Sequence, residues 1–186
     1  MTHWKIDESH SEIGFKVKHL MITNVSGYFT QFTGSIETDS EDFHDARIRF
    51  EAATDSISTL NKQRDEHLKG SDFFDTAHYP KITFVSKKIK KITEEDYKVV
   101  GDLTIKGHTH AIELEVVRNG VVTDPYGQEK EGFSIKGRLH RADYGLRWNA
   151  ATEAGSIVLS DEVKLHMEIQ LVKVTEPVLV AATQTA

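Results

Sequence analysis

The sequence contains no cysteine, which excludes disulfides, thiolate zinc sites and thiol nucleophiles together. It has no excess of positive charge either. Its 23 basic and 29 acidic residues give a formal charge of −6, and phosphate binding needs a concentrated positive field, so nucleic acid is not an expected partner. The one basic cluster, Lys87, Lys88, Lys90 and Lys91, reads as a solvated strand end. No apolar run is long enough to span a bilayer, and Met1 to Asp7 lacks the apolar core of a signal peptide. The expectation is a soluble protein without stable membrane insertion, cytoplasmic as written and periplasmic if a leader was removed. No linker-like run divides the 186 residues, so one domain over 1–175 is expected, followed by a tail over 176–186.

Helical signal is also scarce, and it is confined to the stretch from Asn61 to Pro80. Asn61 can cap a helix by accepting from first-turn N–H groups, and Gln63 to Lys69 tolerate or favour helix. Gly70 is expected to end it in the left-handed conformation that glycine adopts without penalty. Phe73 and Phe74 follow among acidic residues, and Pro80 opens a new strand. A charged helix carrying two aromatics resembles a cap over an opening, although such a helix can equally cover a sheet edge with its aromatics in the core.

What is abundant is two-residue alternation. Ile13, Phe15, Val17 and His19 share one face of a segment whose other face is charged, the mark of a strand with one wet side. His19 is then either a satisfied core histidine or a polar point in a pocket. Val25 to Thr38 reads as one strand in which Gly27 and Gly34 mark bends. Ile48 and Phe50 alternate with Arg47, Arg49 and Glu51. Ile82 to Ser86 and Tyr97 to Lys106 follow, Gly107 to His110 reads as a turn, and Ala111 to Arg118 alternates again. Asn119-Gly120 and Asp124 to Gly127 carry hairpin-turn signals. Phe133 to Leu139 and Val163 to Leu171 complete the pattern. About eight long strands with short turns predict an all-β fold, a single closed antiparallel barrel with one short capping helix. An eight-stranded interior either fills with its own side chains or holds one small ligand.

Ten histidines invite a metal reading, with His108 and His110 two apart on one strand face. No third ligand is fixed by spacing, so no metal site is expected. For proton transfer Asp65, Glu66, His67 and Asp72 are the strongest candidates. His67 and Asp72 can meet only if the chain turns back after Gly70, and no catalytic residue is assigned.

Trp4-Lys5-Ile6-Asp7, His10 to Leu20, Gly27-Tyr28-Phe29, Arg64 to Leu68, Asp72-Phe73-Phe74, Tyr79 to Phe84, Gly101 to Thr109, and Arg141 to Leu146 with Trp148 together resemble the YceI-like family, in order and spacing, from Trp4 to about Val174. The resemblance implies a lipocalin-like barrel whose elongated apolar tunnel holds a polyisoprenoid such as a quinone or prenyl lipid tail. It also implies a protein often periplasmic and often dimeric. On this reading Phe15, Val17, His19, Phe29, Phe50, Leu68, Phe73, Phe74, Phe84, Leu103, Ile105 and Trp148 line the tunnel. Arg64, His67 and Arg147 are head-group candidates at its mouth.

One isoprene unit has about five carbons and contributes roughly 4 kcal/mol gross at ~0.8 kcal/mol per CH₂, so tail length sets affinity with few polar contacts. The expected function is non-covalent binding, storage or transport of an isoprenoid lipid, without a cofactor. The alternatives are a hydrolase or isomerase acting on a prenyl substrate, and a packed-core structural or stress-associated protein.

Overall fold

The computed structural model describes residues 1–150 and 158–175, and the expected tail over 176–186 lies outside them. The strands are β1 (Thr2–Ile6), β2 (Glu12–His19), β3 (Thr23–Phe29), β4 (Phe32–Thr38), β5 (Arg47–Ala53), β6 (Ile57–Ser58), β7 (Lys81–Lys91), β8 (Asp96–Ile105), β9 (His108–Thr123), β10 (Glu129–His140) and β11 (Leu159–Lys173), with one α-helix, α1 (Lys62–Lys69). All pairings are antiparallel. Eight strands form a ring in the order β1-β4-β5-β7-β8-β9-β10-β11, which β1 closes by pairing with β11.

The eleven segments are eight strands, three of them broken. β1 and β2 share one edge of β11, with Trp4 opposite Lys173 and Val17 opposite Val163. Between them a 3₁₀ turn, Glu8–His10, is capped by the Asp7 carboxylate, which accepts from the Ser9 N–H. β3 and β4 likewise follow β2 and β1, and β6 and β5 follow β3 and β4. The predicted single strand over Val25–Thr38 is therefore interrupted after Phe29, and a 3₁₀ turn at Thr54–Ser56 breaks the next one. Such interruptions let a barrel strand turn a corner.

The glycines expected to mark bends have another role. Gly27 lies opposite Phe15, and a Cβ there would overlap the Phe15 ring. At Gly34 a Cβ would stand 2.5 Å from Ile6 Cδ1. Each glycine makes room for a large neighbour on the inner face.

Burial follows the alternation. In β8, Tyr97, Val99, Leu103 and Ile105 are buried, while Asp96 and Lys98 are exposed. Two sequence expectations fail locally. Asn119-Gly120 is not a hairpin turn but lies inside β9, where the β9–β10 register shifts and Gly120 takes φ +124°. The hairpin turns instead at Asp124–Gly127, whose carboxylate collects the Tyr126 and Gln128 N–H groups. His108 and His110 belong to β9 rather than to a turn, because the reversal is completed by Lys106 and Gly107.

The helix starts as expected, with Asn61 Oδ1 accepting from the Arg64 N–H at 2.9 Å. It ends differently. Gly70 is extended (φ −71°, ψ 174°) rather than left-handed. The last carbonyls are satisfied by chain folding back, Phe74 N–H to Leu68 O and Thr76 N–H to Lys69 O, both 3.0 Å, and Asp75 takes the positive φ. Among the described residues no helix is long and apolar enough to cross a membrane.

Candidate functional site

The two ends of the barrel are unlike. At the Lys173 end Trp4, Phe43 and Phe133 interlock, with ring centroids 5.6 and 5.4 Å apart. The Arg118 guanidinium lies 5.6 Å over Phe43 and donates to Glu131, a carboxylate only 2% exposed. A paired charge and tilted, edge-on rings seal that end. At the Leu159 end the wall residues His19, Trp148 and Leu159 are only half-buried, and Arg64 and His67 are exposed. Between the ends lies an apolar cavity of about 480 Å³. The barrel is hollow, which the strand alternation alone could not decide.

The structure places all twelve residues expected along the tunnel on the wall of this cavity: Phe15, Val17, His19, Phe29, Phe50, Leu68, Phe73, Phe74, Phe84, Leu103, Ile105 and Trp148. Of the two readings of His19, a wall position is the one found. The segment after α1 turns back and sets Phe73 and Phe74 inward, where Phe74 meets Phe29 edge-on at 5.8 Å and Phe73 meets Trp148 at 5.3 Å.

Of the three head-group candidates, Arg64 and His67 also line the cavity. Arg64 is oriented by Thr59, its Nε donating to Thr59 Oγ1 at 2.7 Å and its Nη2 to the Thr59 carbonyl at 3.0 Å. Asp65 Oδ1 in turn accepts from the Thr59 N–H and hydroxyl. His67 is held edge-on against Phe73 and Trp148.

Arg147 is a correction. It is exposed, does not line the cavity, and its Nε donates to the Ala142 carbonyl at 3.4 Å. The 3₁₀ turn Arg141–Tyr144 and left-handed Gly145 (φ +72°) put Leu146 and Trp148 inward and Arg147 outward.

The cation of this loop that does reach the wall, alongside Arg64 from α1, is Arg141, 6% exposed. Its Nε donates to Ser160 O at 2.9 Å, and its Nη1 to Leu146 O and Trp148 O, both at 2.7 Å. Its Nη2 donates to Leu159 O at 3.4 Å. Burial lowers the affinity of this guanidinium for its proton, and Asp161 acts in the opposite sense. Sequence reasoning missed it as a wall residue because its partners are backbone carbonyls, which carry no side-chain signature.

The acid/base candidates resolve into local contacts. The chain does turn back after Gly70, and His67 Nε2 comes within 3.0 Å of Asp72 Oδ2, both groups facing solvent. Glu66 accepts from Lys69 at 3.4 Å. His110 Nε2 lies 2.9 Å from the Asp143 carbonyl, and among the described residues no three His, Cys, Asp or Glu side chains gather in a metal-binding cluster.

Residues 4–171 match the YceI-like domain. A UPF0312 protein of Staphylococcus epidermidis is 41% identical over 167 residues, 89% of this chain and 95% of that one. The crystal structure of a Campylobacter jejuni YceI protein superposes with a TM-score of 0.73 at 35% identity, covering 91% of this chain and 96% of that one. A polyisoprenoid binding domain from Saccharophagus degradans, implicated in plant cell wall breakdown, has a TM-score of 0.63 at 16% identity over 91% and 97% of the two chains. This last likeness shows the shared fold. With nearly its whole length matched, the chain belongs to the YceI-like domain family.

Proposed function

We propose that the barrel binds a long isoprenoid lipid non-covalently and stores or transports it, without chemical change. The observation that carries this reading is the cavity of about 480 Å³ enclosed by apolar side chains from every long strand of the ring. That volume falls within the range of roughly 300–1,000 Å³ typical of ligand sites. The wall offers methyl and aromatic surface and few polar groups, so it selects for length and flexibility of a hydrocarbon rather than for a hydrogen-bonding pattern. A tail of four isoprene units gains about 16 kcal/mol gross from burial, much of it offset by ordering and desolvation. The protein named as a polyisoprenoid binding domain shares this fold, which supports the choice of ligand class.

The polar groups at the open end fit a head group rather than a reaction centre. Arg64 presents a charge held in place by Thr59, and His67 stands beside it on α1. His67 and Asp72 form an acid/base pair in geometry, but both face solvent, and neither of the two residues is a nucleophile set against an activating base.

The test is native mass spectrometry of protein purified without detergent, followed by organic extraction and mass analysis. The expected result is a bound species whose mass fits a repeating isoprene tail. Protein that remains bare after incubation with quinones and prenyl phosphates would overturn the reading.

A further inference from the structure

The β2–β3 connection is chemically out of place. Its tip is Leu20-Met21-Ile22, with the Ile22 N–H closing the turn onto the His19 carbonyl at 3.1 Å. Leu20 and Met21 take φ +50° and +60°, a pair of positive φ values that tight hairpins normally give to Asn-Gly. All three side chains project into solvent, exposed by 37%, 54% and 79%. Neither the turn geometry nor burial of core surface accounts for two bulky apolar residues in left-handed conformations, and strain of this kind clusters at functional sites.

The tip stands at the open end of the cavity. His19, the last residue of β2, lines the wall and pairs with Leu159, and the Leu20 N–H is bonded to Val158 O at 2.7 Å. Behind the tip, on the outer face, lie Lys16, Lys18 and Lys164, with Lys16 directly opposite Lys164. All three are exposed and have no ion pair among the described residues. The acids nearest to them on β11, Asp161 and Glu162, are engaged by His140 at 3.0 Å and Arg138 at 3.7 Å. A chain of formal charge −6 thus carries a local positive collar next to an apolar point. At ~3.3 Å per residue Lys18 stands about 7 Å below the tip, near the depth of a lipid head-group layer.

We propose that the β2–β3 tip is a docking wedge that sets the open end of the barrel on an anionic lipid bilayer. Leu20, Met21 and Ile22 enter the boundary between head groups and acyl chains, and the three lysines meet the anionic head groups. This rests on the isoprenoid reading, because a lipid of that kind resides in a bilayer whenever the protein does not hold it. Docking at this end lets the tail pass between membrane and cavity without crossing water.

The experiment is flotation with isoprenoid-free vesicles, either pure phosphatidylcholine or phosphatidylcholine containing phosphatidylglycerol, with native mass spectrometry and sedimentation on the same protein. The variant Leu20→Asn/Met21→Gly gives the turn the residues its backbone favours, so it should fold at least as well as the parent. It is expected to keep its lipid and lose about tenfold in binding to anionic vesicles. Tyr126→Ser removes a side chain that is 92% exposed at the opposite end and should float like the parent. The parent itself should bind neutral vesicles about tenfold more weakly than anionic ones.

Undiminished flotation of the Asn-Gly variant overturns the proposal. So does a parent protein that holds lipid but does not float, which leaves the isoprenoid reading intact; a parent that neither holds lipid nor floats overturns both. A change from dimer to monomer in the variant with flotation unaltered would instead make the tip a contact between two copies.

Discussion

The imidazole of His67 stands edge-on to the indole of Trp148, ring centroids 4.9 Å apart and planes at 87°. The contact joins α1 to the loop after β10, the two elements that face each other at the open end of the cavity. An edge-to-face pair adds about 0.5–1.5 kcal/mol beyond its burial, a small restraint between the two sides of the rim. We predict that His67→Ala speeds transfer of bound isoprenoid to acceptor vesicles by about 2–10-fold, with the lipid still co-purifying and its mass unaltered. Stopped-flow transfer and native mass spectrometry measure the two halves. Loss of turnover of a prenyl substrate in this variant would place His67 in an enzyme instead.

A second prediction concerns Gly101, opposite the ring of Phe84. A Cβ at Gly101 would overlap that ring and stand 2.5 Å from the Val85 carbonyl. The strand backbone cannot retreat, so Phe84 would be driven into the cavity. Gly101→Ala should cost about 1–3 kcal/mol by overpacking and lower the amount of lipid that co-purifies. Denaturant titration gives the first quantity and extraction the second. Unchanged stability together with unchanged lipid content would mean that Phe84 does not rest on Gly101 in solution.

The same pair shows what the sequence could and could not disclose. Alternation in Ile13-Phe15-Val17 or Val163-Leu165-Met167 states which side chains face inward, because a strand has only two faces. The eight-strand count and the twelve wall residues followed from that rule and from the family resemblance. Which glycine sits beneath which ring did not follow, since Phe15 and Gly27 become neighbours only through the β2–β3 register. That two strands flanking the 3₁₀ turn at Glu8–His10 share one edge of β11 depends on partners some 160 positions away in the chain. The outward turn of Arg147 rests on the left-handed Gly145, and the inward place of Arg141 on backbone carbonyls that no side-chain pattern reveals.

Asp7 links stability to acid. Burial disfavours its charge, but hydrogen bonds from Ser9, His10 and Gln170 outweigh that and bring its pKa down to about 2. Asp42 and Asp45 at the sealed end are held below the usual carboxylate range, Asp42 foremost by His44, and Asp45 foremost by the Ser40 and Thr38 hydroxyls. Each carboxylate is more acidic folded than unfolded. Their contribution is therefore present above the unfolded value near 3.8 and is lost as pH falls through the folded one. The melting temperature should fall between pH 4 and 2, and Asp7→Asn should make that fall shallower. A variant whose acid profile superimposes on the parent's would show that Asp7 is no more acidic in the fold than in the unfolded chain.

Arg141 supplies the last prediction. Its guanidinium donates to four carbonyls, two in the loop at Leu146 and Trp148 and two at the start of β11 at Leu159 and Ser160. Leu159 O keeps the Asn149 side-chain amide at 2.9 Å, but without the guanidinium the other three lose this donor beside an apolar cavity and gain little water. Arg141→Met keeps most of the stem and removes every donor. The expected loss is about 2–4 kcal/mol, the range for hydrogen bonds from a charged group plus the cost of stranded acceptors, or about 5–15 °C in melting temperature for a chain of this size. Arg141→Lys should recover only part, because one ammonium cannot span both segments with the fork geometry of a guanidinium. Hydrogen exchange should accelerate in 142–149 before the rest of the barrel, since the loop is released first. If Arg141→Met instead melts with the parent while lipid binding alone is lost, the guanidinium serves the ligand directly and not the loop that carries Trp148.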